Sequence, residues 1–507
     1  MGSNVLDYLE RSRAAYPQKC AVIDEREQLT YEELYIRSRR IGSALCAWIA
    51  QGQGVGVYMD KCADALCVFL GTVYAGGFYS VLNPELPAGR LSQIAGVLSP
   101  RVIVTGREEA DRASEIFPGI PLVCVEDLAA AQPDETRLLA VSRRAVDTDP
   151  LYVNFTSGST GTPKGIVVAH RSVLDFIGCF TKLFGINGGD VIANQAPFDF
   201  DVSVKDIYSS LAVGATLLII PRRLFSAPAA LVDFLCEHRA TTMIWAVSAL
   251  CLITTFHALD YRVPETVNKI LFSGEVMPAK ALANLKKHLP EAMYVNLYGP
   301  TEITCNCTYH ILSVDRDYAG GIPIGIPFPN EDVFLLDGEN RRITEPEETG
   351  EVCVRGTALA LGYYRCPEQN QAHFVQNPLN KNYPELIYRT GDLARYNDCG
   401  ELVFSGRKDF QIKYMGHRIE LEEIEREMAA IDGVERCCCL FDEKRSRLKG
   451  FYVGAIEKDA LHAAMRRALP EFMVPGLLRQ VESMPLTKNG KIDRKALAEL
   501  TDRKRGQ

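Results

Sequence analysis

Glycines, hydroxyl residues and one lysine are concentrated in a single stretch of the chain. Residues 155–165 read F-T-S-G-S-T-G-T-P-K-G, directly after an apolar run at 151–153. A strand that runs into such a loop presents backbone N–H groups and hydroxyls that can surround an anion. The Walker spacing G-x-x-x-x-G-K-[ST] does not fit, because Pro163 precedes Lys164 and Gly165 follows it. The alternative is an ordinary surface turn, but a flexible linker has no need of a lysine next to a proline.

Three further stretches carry side chains suited to a nucleotide. Residues 296–302 read N-L-Y-G-P-T-E, in which Tyr298 can stack on a flat base and Glu302 can ligate Mg²⁺ between phosphates. Residues 388–392 read Y-R-T-G-D, and the carboxylate of Asp392 can accept two neighbouring ribose hydroxyls. Residues 485–493 read P-L-T-K-N-G-K-I-D, with Lys491 on a tight turn. Each stretch alone is weak, since a surface lysine or aspartate is usually only solvated.

Length and composition exclude several classes of protein. A chain of 507 residues is expected to form roughly three domain-sized units. Its net charge of −8 argues against a nucleic-acid-binding protein, which normally has a basic surface. No apolar run approaches the roughly 18 residues that span a bilayer, and the first residues lack the apolar segment of a signal peptide. We therefore expect a cytoplasmic protein without membrane insertion, whose 16 scattered cysteines are reduced thiols.

The hydrophobic pattern predicts the elements that position these stretches. Residues 1–300 alternate helical segments with short buried strands, which is typical of a parallel sheet covered by helices, and Thr30 with Glu33 predicts a capping box. Residues 320–406 change to short alternating strands with glycine turns, which indicates a mostly antiparallel, barrel-like unit. In a later strand, at 434–441, Cys437 and Cys439 face away from Cys438, so the three cannot bind one metal ion.

All four stretches, in this order, resemble the superfamily of adenylate-forming enzymes, which includes acyl-CoA synthetases, luciferases and the amino-acid adenylation domains of nonribosomal peptide synthesis. The resemblance covers essentially the whole chain, including residues 361–364, 406–420 and 469–475. It implies an α/β multidomain fold, with helix-covered sheets and a distorted β-barrel in a core at 1–408 and a small mobile α+β domain at 409–507. It also implies two half-reactions. A carboxylate attacks the α-phosphate of Mg·ATP to give an acyl-adenylate and pyrophosphate, and a thiol then attacks the adenylate.

The resemblance also assigns roles to individual residues. Lys491 bridges the reacting carboxylate and the α-phosphate, and Thr301 and Glu302 complete the catalytic set, with Glu302 as the Mg²⁺ ligand. Asp409 matches the hinge, and Gly416 matches the tunnel for the thiol. The expected ATP-binding residues are Thr156, Ser157, Gly158, Ser159, Thr160, Gly161, Lys164, Gly274, Glu275, Asn296, Leu297, Tyr298, Gly299, Pro300, Asp392, Phe404 and Arg407.

Residues 198–208, F-D-F-D-V-S-V-K-D-I-Y, indicate the class of acid that is activated. Amino-acid-activating members carry an aspartate at the position of Asp201, and a buried carboxylate needs a cation such as the substrate ammonium. An amino acid is therefore favoured. A fatty or aryl acid used by an acyl-CoA synthetase stays open, as does Asp201 acting only as a loop cap. By the same resemblance, the substrate pocket is formed by Asp201, Val202, Lys205, Trp245, Leu271, Ser273, Leu297, Cys305 and Asn306.

Within the superfamily, the free-standing D-alanine–carrier-protein ligases show the nearest pattern, through residues 198–214, 274–278 and 409–413. Those ligases carry methionine at the position of Lys205 and cysteine at that of Ser273, which puts D-alanine in doubt. Lys205 either meets an acidic or hydrogen-bonding substrate, or pairs with Asp201 or Asp206 and fills space. A small or polar amino acid is favoured.

The acceptor of the activated acid is expected to lie on another molecule. No G-G-x-S segment follows Asp493, which indicates a separate phosphopantetheinylated carrier protein, with free CoA as the other possible acceptor. A third hypothesis is a non-catalytic nucleotide sensor with this fold. It would require the loss of Lys491 or Glu302, and both residues are present.

Overall fold

The computed structural model of the chain describes residues 4–156, 163–318, 321–486 and 492–502. The α-helices are α1 Leu6–Ala15, α2 Tyr31–Leu45, α3 Ala63–Tyr74, α4 Ala88–Leu98, α5 Ala110–Ile116, α6 Val125–Ala129, α7 Glu135–Ser142, α8 His170–Leu183, α9 Val202–Val213, α10 Pro228–Glu237, α11 Val247–Thr255, α12 Ala258–Tyr261, α13 Ala279–His288, α14 Pro367–His373, α15 Leu421–Ala429, α16 Lys458–Ala468 and α17 Arg494–Asp502. Among the described residues, no helix has the length and apolar character that a membrane span requires.

The strands that build the sheets are short, as expected for alternating helices and strands. They are β1 Cys20–Ile23, β2 Gln28–Thr30, β3 Gly54–Tyr58, β4 Phe78–Val81, β5 Val102–Thr105, β6 Leu122–Cys124, β7 Pro150–Thr156, β8 Lys164–Ala169, β9 Val191–Asn194, β10 Thr216–Ile219, β11 Thr242–Ala246, β12 Lys269–Ser273, β13 Met293–Tyr298, β14 Thr308–Ile311, β15 Ile326–Pro327, β16 Glu331–Leu336, β17 Arg342–Ile343, β18 Gly350–Gly356, β19 Gly362–Tyr363, β20 Phe374–Gln376, β21 Leu386–Tyr396, β22 Leu402–Arg407, β23 Gln411–Tyr414, β24 His417–Glu420, β25 Val434–Asp442, β26 Arg447–Gly454 and β27 Leu477–Gln480.

The chain divides into two compact units, and the last boundary between them falls between Lys408 and Asp409. The first unit consists of Met1–Pro84, Ala95–Phe155 and Gly165–Lys408. The second unit consists of Glu85–Ile94, Thr156–Lys164 and Asp409–Gln507. Each unit contains its own sheets.

A nine-stranded sheet dominates the first unit, in the order β15-β14-β13-β12-β11-β9-β10-β1-β2. The six strands from β13 to β1 in this order are parallel to their neighbours. Its strands are buried on both faces: Ile244 and Leu271 belong to one apolar core, and Met243 and Ile270 belong to another. Helices also pack into these cores, with Val204 of α9 in the first and Leu231 of α10 in the second, so the predicted helix-covered parallel sheet is confirmed.

A seven-stranded sheet, in the order β19-β8-β7-β4-β3-β5-β6, carries the ends of the glycine-rich stretch. Strand β7 ends at Thr156 and β8 begins at Lys164, so a strand does lead into this stretch as predicted. The stretch is followed by a second strand and not by a helix, which distinguishes it from a Walker loop. The capping box of Thr30 and Glu33 is also present, at the start of α2.

The third sheet of the first unit is antiparallel, as predicted for this part of the sequence. Its order is β17-β16-β18-β21-β20, and β22 also pairs with β21. Along the described residues this hydrogen-bonded path is open and does not return to its first strand. The sheet brings Asp392 on β21 opposite Arg407 on β22.

The second unit contains the hairpin β23–β24 and the three-stranded sheet β25-β26-β27. Met415 and Gly416 form the hairpin turn, with φ of 53° and 80°, and two positive values favour a tight two-residue turn. In β25, Cys439 packs in one apolar core and Cys438 in another, which confirms that neighbouring cysteines face opposite sides.

Candidate functional site

The carboxyl ends of four parallel strands of the nine-stranded sheet lie along one edge. Strands β9, β11, β12 and β13 end at Asn194, Ala246, Ser273 and Tyr298. Ligands of open α/β sheets bind at this edge, because the connecting loops open there and the strand ends converge. The segments that follow β12 and β13, which begin with Gly274 and with residues 299–302, are parts of the predicted ATP site.

The segment after β13 folds back tightly on itself at Gly299. A Cβ at this position would lie 2.5 Å from Cα of Asn306 and 2.8 Å from the carbonyl oxygen of Cys305. Both obstacles are main-chain atoms that cannot rotate away, so the turn requires glycine. The N–H of Cys307 donates to the carbonyl of Tyr298 over 2.8 Å and closes the loop. Residues 305 and 306 therefore lie next to the carboxyl end of β13.

Asp392 lies at the centre of a buried polar group. Tyr298 donates its hydroxyl to Asp392 Oδ2 over 2.5 Å, and Arg407 forms an ion pair with the other carboxylate oxygen. The N–H of Asp392 donates to Thr390 Oγ1 over 3.0 Å. A carboxylate that is 3% exposed is stable only with such partners. Burial and then the Asp392 charge raise the pKa of Tyr298, so its phenol remains a donor. The structure thus brings together Tyr298, Asp392 and Arg407.

Glu302 is held by the segment around Tyr363. Its side chain is 1% exposed, and Oε1 accepts a hydrogen bond from the Tyr363 hydroxyl over 2.8 Å. The carbonyl of Glu302 accepts from the N–H of Ala360 over 2.9 Å. Thr301 begins the single helical turn Thr301–Ile303 that presents this carboxylate. The sequence did not predict this contact of Tyr363, which lies in the stretch 361–364 that contributes to the family resemblance.

Asp201 directly precedes α9, and its side chain makes no capping hydrogen bond to the helix. This argues against the alternative that Asp201 is only a cap. Its carbonyl accepts from Cys305 Sγ over 3.0 Å. Burial first, and then the Asp201 charge, raise the pKa of the Cys305 thiol, and both effects also raise the pKa of Tyr152. The carboxylate therefore lies among groups of low polarity, where a bound cation would be strongly attracted.

Lys205 lies one helical turn after Asp201 and is completely buried. It donates to Asn306 Oδ1 over 2.7 Å, which connects α9 to the loop that follows β13. The neighbouring Asp206 accepts from Asn194 Nδ2 over 2.8 Å. Burial raises the pKa of Asp206, and the hydrogen bond from Asn194 and the charge of Lys205 oppose this rise.

The half-buried Lys61 was missed in the sequence. It donates to the carbonyl of Gln195 over 2.8 Å and to the carbonyl and side-chain oxygens of Asn194, both over 3.2 Å. Burial lowers the pKa of Lys61 to about 7. Lys61, Asn194 and Asp206 thus form one polar cluster at the end of β9. No local pattern marks Lys61, because its partners are more than a hundred residues away in sequence.

Several of the other residues predicted for the pocket lie close to one another, and one faces elsewhere. Leu271, Leu297 and Cys305 belong to one apolar core, and Ser273 is paired in register with Leu297. The prediction that Trp245 forms part of this wall is wrong. Side chains alternate along β11, and Trp245 packs in the core on the opposite face, where its indole N–H donates to the Ala193 carbonyl over 2.8 Å.

The neighbour of Trp245 in β11, Ile244, faces the other side of the sheet. Ile244 packs with Leu271 and is its partner in register.

Two other predicted site residues are accessible to solvent. Val202 is partly exposed at the start of α9, and Phe404 is 40% exposed on β22. Asn296 donates to the Pro323 carbonyl over 2.8 Å, next to the strand end where an adenine is predicted.

A family model described as AMP-binding enzyme matches residues 9–364. This chain belongs to the AMP-binding enzymes. It is 31% identical over 502 residues to an L-proline–(L-prolyl-carrier protein) ligase of Pseudomonas fluorescens, with 96% of this chain and 97% of that protein covered. It is also 31% identical over 505 residues to tyrocidine synthase 3 of Brevibacillus parabrevis, where it covers 97% of this chain but 8% of that protein.

Solved structures agree with this assignment. This chain is similar to the solved structure of PA1221, an NRPS protein containing adenylation and PCP domains. The TM-score is 0.84 and the identity is 26%, over 99% of this chain and 98% of that chain. An adenylation domain of Vibrio cholerae, AlmE, has the same fold, with a TM-score of 0.86 and 22% identity over 99% and 98% of the two chains. The resemblance to adenylate-forming enzymes and the α/β fold class are therefore confirmed.

Several residues that the sequence predicts to be functional belong to the second unit or lie outside the part of the chain that the structure describes. Ser157, Gly158, Ser159, Thr160, Gly161 and Lys491 lie outside the described ranges. Thr156, Lys164, Asp409 and Gly416 belong to the second unit. Their assignments to phosphate binding, hinge and thiol tunnel stay predictions.

Lys408 and Asp409, on the two sides of the predicted hinge, form their hydrogen bonds within different units. In the first unit, the N–H of Lys408 donates to the Gly391 carbonyl over 2.9 Å, and its ammonium lies 2.9 Å from Glu351 Oε2. In the second unit, Asp409 accepts from the N–H of Gln411 over 3.2 Å. Lys408 is therefore fixed to its own unit at both its main chain and its side chain.

Proposed function

We propose that this protein activates an amino acid with ATP, giving aminoacyl-AMP and pyrophosphate, and then transfers it to the phosphopantetheine thiol of a separate carrier protein. The observation that supports it most is the position of Asp201. The main-chain carbonyl of Asp201 accepts from Cys305 Sγ over 3.0 Å, which places the start of α9 beside the loop that presents Glu302. The charge of Asp201 acts on the same thiol, near the strand ends expected to hold the nucleotide. The relation to a carrier-protein ligase over almost the full length of both chains supports the same activity.

In this proposal Asp201 binds the α-ammonium of the substrate, whose carboxylate is thereby directed toward the nucleotide. Asp392 accepts the ribose hydroxyls, with Arg407 and Tyr298 holding its carboxylate in place. The substrate carboxylate attacks the α-phosphate and pyrophosphate leaves. Lys491 stabilises the charge that develops between them, which is the main task of a protein in such a transfer.

Glu302 and Thr301 fit a magnesium ion by their chemistry, since both offer the hard oxygen donors that Mg²⁺ prefers. A carboxylate has about four acceptor positions, so the hydrogen bond from Tyr363 is compatible with a cation on the same group. When bound, Mg²⁺ would neutralise phosphate charge. Glu302 would hold it, and its burial would keep competing water away.

The side chain of the substrate is proposed to be short. Lys205 follows Asp201 by four helical positions, so the two residues share one face of α9, and the hydrogen bond from Lys205 to Asn306 joins this face to the loop that follows β13. Leu271 is completely buried and Leu297 is 2% exposed, so the walls are already packed. A short side chain that ends in a hydrogen-bond acceptor would add a contact to Lys205. This argument favours a small or polar amino acid and does not select D-alanine.

The test is an ATP–pyrophosphate exchange assay over the twenty amino acids, both enantiomers of alanine and a panel of fatty and aryl acids. We expect exchange with one or a few amino acids that have short side chains. A thioester on a phosphopantetheinylated carrier, or on CoA, is then sought by mass spectrometry with the best substrate. Exchange with acids that lack an amine, and with no amino acid, would contradict the proposal. AMP production without any adenylate would also contradict it.

A further inference from the structure

Tyr363 contacts Glu302 although 61 positions separate them in sequence. The phenol donates to Glu302 Oε1 over 2.8 Å, and the two residues are 4% and 1% exposed. A hydrogen bond to an ionised acceptor is stronger than one between neutral groups, and exclusion of water strengthens it further. It therefore restricts the rotation of the carboxylate.

The main chain of Tyr363 is fixed by a single amide side chain. Its N–H donates to Asn370 Oδ1 over 2.6 Å, and Asn370 Nδ2 donates back to its carbonyl over 3.1 Å. The preceding Gly362 has φ of +122°, and a Cβ there would meet Asn370 Oδ1 at 2.6 Å. Asn370 can approach this closely because residue 362 is glycine. The phenol is therefore carried on a rigid support.

The ring of Tyr363 and its hydroxyl are also enclosed. Phe374 packs edge-on against the ring at 5.6 Å between centroids. The hydroxyl of Tyr388 lies 3.4 Å from that of Tyr363, and Tyr388 is on β21, the strand that carries Asp392. Contacts through Tyr363 and Tyr388 therefore connect Glu302 to β21, the strand whose Asp392 is proposed to bind the ribose.

We propose that Tyr363 is a positioning residue for the Mg²⁺ ligand Glu302, and that its hydroxyl sets the affinity of the protein for the metal–nucleotide complex. This inference rests on the proposed function, in which Glu302 holds Mg²⁺. A carboxylate whose rotation is already restricted loses less conformational entropy when a metal ion binds to it. Hydrogen-bond partners of metal ligands act in this way, and their loss typically weakens metal binding by about 10- to 100-fold.

The experiment compares Tyr363→Phe with Tyr364→Phe in the full-length protein. Tyr364 is the matched control, because the same hydroxyl is removed from the next residue, whose ring packs at 5.8 Å from Phe78. Binding of Mn²⁺ in the presence of a non-hydrolysable ATP analogue is measured by electron paramagnetic resonance. The Mg²⁺ concentration for half-maximal exchange is measured at saturating ATP and amino acid.

For Tyr363→Phe we expect the Mn²⁺ dissociation constant and the half-saturating Mg²⁺ concentration to rise about tenfold. The exchange rate at saturating Mg²⁺ and the KM for the amino acid stay within about threefold of wild type, since neither the ribose group nor Asp201 is touched. Tyr364→Phe matches wild type in all four quantities. Unchanged Mn²⁺ affinity in Tyr363→Phe would overturn the inference, and so would a change confined to amino-acid KM or thermal stability.

Two further variants keep the inference testable if Tyr363→Phe does not fold. Tyr388→Phe removes the hydroxyl behind Tyr363 and should raise the Mn²⁺ dissociation constant by about threefold; no change would count against the inference. In a Glu302→Gln background, Tyr363→Phe should weaken Mn²⁺ binding no further, because residues that act through each other are not additive. Wild-type protein that binds Mn²⁺ and nucleotide but exchanges with no amino acid would refute the proposed function alone.

Discussion

The most direct perturbation of the proposed amine site is Asp201→Asn. The side chain keeps its size, and the Cys305 thiol can still donate to the main-chain carbonyl of residue 201, because that contact does not involve the carboxylate. What disappears is the negative charge that raises the pKa of Cys305 and Tyr152. The change therefore tests the charge of Asp201 and leaves the packing of α9 in place.

The expected magnitude follows from the surroundings of the carboxylate. An exposed ion pair contributes roughly 1 kcal/mol, and breaking a buried pair costs roughly 3–5 kcal/mol. Asp201 is partly exposed but lies among fully buried neighbours, so we expect about 3 kcal/mol between enzyme and amino acid. This corresponds to a loss of about 100-fold in kcat/KM for the preferred amino acid. The corresponding acid without an amine should change less than about fivefold, because it has no ammonium to lose.

Asp199 supplies the matched control, two residues earlier in the chain. Asn83 Nδ2 donates to both of its carboxylate oxygens, over 3.1 and 3.2 Å, and burial raises the pKa of Asp199 to about 6. Asp199→Asn makes the same chemical change without removing the proposed amine partner. Exchange is measured against amino-acid concentration for both variants, together with thermal stability. Equal losses in the two variants, or an equal loss for the acid without an amine, would refute the assignment of Asp201.

The other predictions concern the lysines and one buried carboxyl group. Lys491→Ala should reduce ATP–pyrophosphate exchange at least about 100-fold by removing the charge at the α-phosphate, and wild-type exchange would remove Lys491 from the site. Lys205→Met removes the donor to Asn306 and should lower the preference for polar over apolar amino acids about tenfold in the same exchange panel; an unchanged order would show that Lys205 does not contact the substrate. Burial raises the pKa of Glu331 from 4.5 to about 8, so its contribution to stability is present below pH 4.5 and is lost as the pH rises toward 8. Glu331→Gln should flatten this fall, by up to about 1.4 kcal/mol per pH unit, in urea unfolding between pH 5 and 9.

The sequence predicted the parts of this fold that depend on local pattern. The capping box at Thr30 and the alternating helices and strands depend on the periodicity of neighbouring residues, and the structure contains them. Such signals are carried within about ten residues, which is why they can be read without a structure.

Contacts between distant segments could not be predicted in the same way. Trp245 was assigned to the pocket by the family resemblance, and the run at 242–246 could not correct this because it is buried on both faces and shows no preferred side. The bond from Tyr363 to Glu302 joins a two-residue strand to a separate turn, and the contacts of Lys61 span about a quarter of the chain. These pairings depend on strand register and loop path, which only the folded chain defines.

The thiol of Cys305 has a consequence for any enzyme that builds a mixed anhydride next to Asp201. In the proposed function, a thiol beside the amine site would be a rival for the acyl group that a carrier receives. Because burial and the neighbouring negative charge raise its pKa, this sulfur stays protonated and is a poor nucleophile. In the proposed function, this protonation would keep the adenylate from acylating the enzyme's own thiol before an external thiolate arrives.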